Sequence, residues 1–219
     1  MLRTLLALAS VTVLAACAGA PAADDAQADI AKVLDVKSTF GPEFKLTSVG
    51  PAAIDPRLLA SEAPPPGAVF DPADCAKVAT GTEVPAGLQG KMASTTAEGN
   101  GNRFVAIAVE TSEPLPVADR GDSCKKVAFA ANGVRGLDEE IEAPTIDGAR
   151  TIGTHRFRQT MAGNQVVGGE LDRYVASFAT FTVIVTANPL VEPGKAVAAI
   201  DAQRARDLLV AAVSAVRGS

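Results

Sequence analysis

The chain reads as an α+β domain, an antiparallel sheet of about six to seven strands packed with N- and C-terminal helices and closed by one disulfide. Three observations predict this class. From residue 88 onward, apolar positions alternate with period two. The alternating runs are separated by short turns rich in glycine, asparagine and aspartate, and strands joined so tightly must run antiparallel. Helical periodicity gathers before and after the strand-rich stretch instead of alternating with it.

Taken in order, residues 18–23 are small and uncharged and form a tether with no face to bury. Asp24 stands three residues before Gln27 in a capping-box-like arrangement, ahead of Ile30, Val33 and Leu34, which predicts a helix to about Lys37. Pro64-Pro65-Pro66-Gly67 is a stiff loop and not a domain boundary, because residues 24–63 are too few to fold alone without staples. Residues 88–96 and 103–110 flank Gly99-Asn100-Gly101-Asn102 and predict a hairpin. Val105, Ile107 and Val109 line one face of its second strand while Phe104, Ala106 and Ala108 line the other, as in a central strand covered on both sides. Residues 124–131 read as a helix ended by Asn132-Gly133. Residues 134–142 and 150–158 flank a turn at 144–148, and residues 171–178 and 181–187 complete the strands. Residues 196–216 form the clearest helix, with Ala205, Leu208, Leu209, Ala212, Val213 and Val216 repeating on one face.

Composition narrows the function classes. The 219 residues are 47% hydrophobic and 21% charged, which fits a folded chain and not a disordered one. A formal charge of −5 argues against a nucleic-acid partner, since phosphate binding along a backbone needs a basic face. With one histidine, three cysteines and no clustered carboxylate spacing, neither a metal nor any other cofactor is expected.

The N-terminus carries the strongest single signal. Met1-Leu2-Arg3 precedes a ten-residue run, Leu5 to Leu14, interrupted only by Ser10 and Thr12. The run is too short to span a bilayer, and its length and cationic start fit a signal peptide. It closes on Leu14-Ala15-Ala16-Cys17, which resembles the lipobox of bacterial lipoproteins. The resemblance implies a signal peptide at residues 1–16, a lipidated tether at 17–23 and a single extracytoplasmic domain at 24–219. Cys17 would then carry a diacylglycerol on sulfur and an acyl chain on its freed amine, and two or more chains anchor stably where one does not. The alternative is an ordinary secretory signal with a cysteine after the small residues. The acidic body gains no electrostatic adhesion to an anionic membrane, so the lipid would do the anchoring.

Outside Cys17, only Cys75 and Cys124 remain, an even number for an oxidising compartment, and a disulfide between them is the simple inference. The alternative is a reactive thiol, although neither lies in a Cys-x-x-Cys pair. His155 is the sole ordinary general base and would serve a hydrolase if a serine met it, yet no Gly-x-Ser-x-Gly turn is present. Its other reading is a strand histidine satisfied by a neighbour. The opposite face of the same strand carries Arg150, Arg156 and Arg158. Pairing across the 144–148 turn sets Asp138, Glu140 and Glu142 beside them, as charge pairs that keep that face wet. The functional reading is that these arginines, with Arg173, grip a phosphate or carboxylate. Arg120-Gly121-Asp122 matches an integrin-recognition tripeptide, and Asp122 or Ser123 capping the following helix explains the same residues without a partner.

The lipobox, the alanine-rich and lysine-poor composition, the two cysteines of the exported part and Ile146-Asp147-Gly148-Ala149 before a long strand together resemble small lipoproteins of mycobacteria and related actinobacteria. Within these, the chain is similar to families of unknown function, and distantly to the extracellular sensor-like domain of some membrane serine/threonine kinases. The resemblance implies a protein on the outer face of the cell membrane, held by Cys17, that binds or senses without catalysis and carries an apolar or lipid ligand. The runner-up is an interaction module for a cell-envelope protein, and a hydrolase using His155 stands third.

Overall fold

The computed structural model describes residues 27–54, 64–79, 85, 87–117, 119–163 and 165–218. Cys17, the expected signal segment and the expected Asp24 cap lie outside them. Among the described residues, nine strands form one antiparallel sheet: β1 Lys45–Ala53, β2 Val69–Asp71, β3 Gly90–Gly99, β4 Asn102–Thr111, β5 Lys126–Ala131, β6 Val134–Ile141, β7 Arg150–Ala162, β8 Gln165–Phe178 and β9 Phe181–Pro189. Their spatial order is β1-β3-β4-β9-β8-β7-β6-β5-β2, so the meander from β5 to β9 closes against the β3–β4 hairpin.

The α+β class holds, and the strand count exceeds the six to seven expected. Two of the added strands left no periodic signal. β1 is an edge strand exposed at every position and interrupted by a register shift near Gly50-Pro51, so it has no inside to alternate with. β2 is only three residues long.

A third correction concerns residues 124–131, which are the strand β5 and not a helix. Val127 and Phe129 point inward while Ala128 and Ala130 face water, a period of two. Asn132 and Gly133 both have positive φ, 48° and 76°, and make the tight β5–β6 hairpin turn. The same dipeptide suits a helix end or a hairpin, and the alternation before it decides between them.

The N-terminal helix is a 3₁₀ helix, Ile30–Thr39, capped by Asp29, whose side chain accepts from the Ala31 N–H at 2.8 Å. Its buried residues are Ile30, Val33 and Val36, a strict three-residue spacing that falls on one line at three residues per turn. The C-terminal helix runs Ala202–Arg217, shorter at its start than expected, and buries the six residues that the periodicity selected. The chain before it is held extended by the buried Asn102, whose amide donates to Ala199 O at 3.1 Å and whose carbonyl accepts from Asp201 N–H at 3.3 Å.

Both long helices lie on one sheet face, where they cover Phe104, Ala106, Ala176, Val183 and Val185 in the main core. Arg217 fastens the end of the C-terminal helix, lying 4.2 Å over the Phe178 ring and donating to Asp147 O and Gly148 O. At its start, Asp201 accepts from Arg204 N–H at 3.0 Å. Asp201→Ala is expected to lower unfolding stability by about 1 kcal/mol in urea titrations. An unchanged midpoint would show that packing alone sets this helix start.

Candidate functional site

The sheet face opposite the long helices has two regions. Toward β3, β4 and β9, Val109 and Ile184 are buried with Met92, Ile107, Leu115 and Val175 packed around them. Toward β5, a disulfide-held knob covers the sheet. Cys75 and Cys124 are joined with Cα atoms 5.5 Å apart, as inferred from the sequence, and they pack with Ala79, Phe70 and Val127.

Between these regions lie the arginines, and the pleat puts all four expected ones on this face. Arg150, Arg156 and Arg158 alternate along β7, and Arg173 of β8 stands opposite Thr154 on one side and Thr186 on the other. Their surroundings differ. Arg150 is exposed and donates to Val117 O. Arg158 lies 5.7 Å from the centre of the Phe129 ring. Gly136 stands between those two positions in the register, and a Cβ there would collide with that ring. Arg156 makes a two-point contact with Asp138, Nε to Oδ1 at 2.7 Å and Nη2 to Oδ2 at 2.8 Å. Asp138 is only 2% exposed. The expected wet ladder of charges is therefore partly wrong. Asp138 does pair across the turn, but it is buried beside Val127 of the disulfide cluster, while Glu140 and Glu142 stay in water.

Arg173 has a different environment. Among the described residues its guanidinium has no carboxylate partner, and the charge that acts on it is that of Arg156, diagonally across the β7–β8 register. Burial first, and Arg156 second, pull its pKa down to about 10, so it remains a cation at neutral pH.

Arg120 joins the cluster from the loop before the knob. Its Nε donates to Cys124 O at 3.2 Å, while its buried Nη2 has no partner. Burial lowers its pKa, against the opposing pull of Asp138 and Glu140. Arg120, Glu140, Arg150 and Ile152 line an open cleft of about 320 Å³. Sequence reading placed Arg120 only within the Arg120-Gly121-Asp122 tripeptide. The structure turns its side chain inward and pairs Asp122 with Lys125 at 2.7 Å. Neither Asp122 nor Ser123 caps a helix there. A three-residue 3₁₀ turn, Asp122–Cys124, follows Gly121, which takes positive φ.

His155 occupies the helix-bearing face. Its Nδ1 lies 2.7 Å from Asp172 Oδ1, and Tyr174 OH donates to Asp172 Oδ2 at 3.5 Å. Burial, followed by the charge of Asp172, raises the Tyr174 pKa. The histidine is thus satisfied by a neighbour, and no hydroxyl or thiol is among its described hydrogen-bond partners. Among the described residues, no group of histidine, cysteine or carboxylate side chains could hold a metal ion. No described helix is long and apolar enough to cross a membrane.

These features define a single-sheet α+β domain with helices on one face and an arginine cluster between an aliphatic patch and a disulfide knob on the other. The chain belongs to the DUF5642 family, a domain of unknown function whose model matches residues 29–217. It is similar to an uncharacterised protein of Mycobacterium smegmatis, an Rv0999 orthologue solved by X-ray crystallography. The two are 58% identical, with a TM-score of 0.83, over 88% of this chain and 99% of that one. No curated protein matches.

Proposed function

We propose that the protein is a membrane-anchored extracytoplasmic lipoprotein whose folded domain binds an amphiphilic ligand without transforming it. The observation that carries the binding reading is the juxtaposition on the face opposite the helices. The aliphatic cluster around Ile107, Ile184 and Val175 runs directly into Arg173, two residues along β8 from Val175. An apolar patch abutting a cation without a carboxylate partner complements a molecule with a tail and an anionic head. The anchoring reading rests on the segment ending in Cys17, and kinship with extracellular sensor-like kinase domains belongs to the same proposal.

Two experiments test these parts separately. Radiolabelled palmitate is expected to enter the full-length protein, and Cys17→Ser to release it into culture fluid; a serine variant that stays in the membrane sinks the anchor. Native mass spectrometry of protein extracted from its own membrane is expected to retain a lipid-sized adduct. Hydrolysis of an ester panel that vanishes with His155→Ala would replace binding by catalysis.

A second reading, an interaction module, is favoured by the far end of β8. Its pairs with β9 stop at Asp172, so among the described residues Gln165 to Leu171 pair with β7 alone. Met161, Val166 and Val167 are more than half exposed there. An open edge with apolar side chains suits an added strand from an envelope protein. Recovery of a protein with a clean, lipid-free mass would favour it.

A further inference from the structure

We propose that Arg173, flanked by Thr154 and Thr186 and facing Arg156, is the centre of an oxyanion site of the phosphate class, with Arg120 as its second cationic arm. The inference deepens the binding reading above and rests on it for the tail of an amphiphile, but not for the anion itself.

Arg120, Arg156 and Arg173 gather on one sheet face, since Arg120 and Arg173 both lie within electrostatic reach of Arg156. Asp138, the buried carboxylate of the group, is engaged at both oxygens by Arg156. Glu140 faces Arg120 from β6, but it is exposed and stands two strands from Arg173, with Thr154 between them. Arg173 therefore faces a like charge with no carboxylate of its own, and Arg120 keeps a buried Nη2 without an acceptor.

Desolvating a guanidinium costs free energy that only an anion or full hydrogen bonding recovers. A fold selected for stability alone would place an apolar side chain at position 173. A ligand with several acceptor oxygens and more than one negative charge fits the donors, because Arg173 and Arg120 can each contribute N–H groups while the Thr154 and Thr186 hydroxyls border the same row. A lipid headgroup and a free phosphate share this chemistry.

Full-length protein in neutral phosphatidylcholine nanodiscs is titrated calorimetrically with inorganic phosphate, hexyl phosphate and hexyl glucoside. Binding of both phosphates is expected, and Arg173→Met should weaken each by about tenfold or more, the worth of a charge-assisted hydrogen bond. The same variant should melt no lower than wild type without anion, because a half-buried cation facing Arg156 has been removed. Arg103→Met, at an exposed arginine paired with Glu98, should bind as wild type. Hexyl phosphate binding about tenfold tighter than inorganic phosphate assigns the site to a headgroup, and equal affinities assign it to the free anion.

Failure of both phosphates to bind wild type, or unchanged binding by Arg173→Met, overturns the site. Hexyl glucoside binding in that case would leave the amphiphile reading standing while the anion site falls. Should Arg173→Met misfold, Arg120→Met carries the same test, and undiminished phosphate affinity in that variant would also overturn the proposal.

Discussion

Replacing Cys75 and Cys124 together by alanine is expected to lower the unfolding free energy by about 4 kcal/mol, a large part of the ~5–15 kcal/mol typical of a domain. The bond closes a loop with a sequence separation of 49 residues, and opening it restores that loop's entropy to the unfolded chain. Among the described residues the knob's apolar contacts are Ala79, Val127, Phe70 and Val78 around the two sulfurs, and β2 adds three residues of pairing at the sheet edge. Urea titrations of the double variant, and of wild type with and without reductant, measure the effect. A loss below about 1 kcal/mol would show that the covering of β5 holds without its cross-link. Loosening the knob should also unsettle Arg120, which donates to Cys124 O, so weaker anion binding is expected to accompany the stability loss.

Asp138→Ala is the second large effect, an expected loss of about 3–5 kcal/mol. The carboxylate is 2% exposed and accepts from two nitrogens of Arg156. Its removal leaves Arg156 within electrostatic reach of both Arg120 and Arg173 without the carboxylate that now engages it. The matching experiment replaces both partners. Asp138→Leu with Arg156→Met removes the charge and its neutraliser together, and its cost should be far smaller than that of Asp138→Ala, since an apolar pair of similar volume needs no desolvation. If the single and double variants unfold at the same urea concentration, the pair contributes nothing specific, and the electrostatic account of this face fails with it.

Several elements were legible in the chain because they depend on neighbours a few residues apart. The C-terminal seam from Ala205 to Val216 follows from a period of 3.6, and the structure buries the same six residues. Gly99-Asn100-Gly101-Asn102 announces the β3–β4 turn, where Asn100 and Gly101 take positive φ. Period two alone puts Arg150, Arg156 and Arg158 on one face of β7 and His155 on the other. Where local signals conflict, reading them went wrong. Asn132-Gly133 suits a helix end or a hairpin, and the helix expected at residues 124–131 is the strand β5.

The sequence by itself determined the α+β class with helices at either end of a sheet, the cross-link, the shared face of Arg150, Arg156 and Arg158 and the signal-like run ending in Cys17. Each of these follows from spacing, or from an even count of cysteines. Only the tertiary structure decided which charges lose their water. Asp138 is buried beside Val127, which packs into the knob tied by Cys75 and Cys124, and among the described residues β7 and β9 set threonines and no acid opposite Arg173. Arg120 reaches the same cluster from a loop with no periodicity at all. Solvation and pairing of a charge depend on segments far away in the chain, and side-chain spacing carries no information about them.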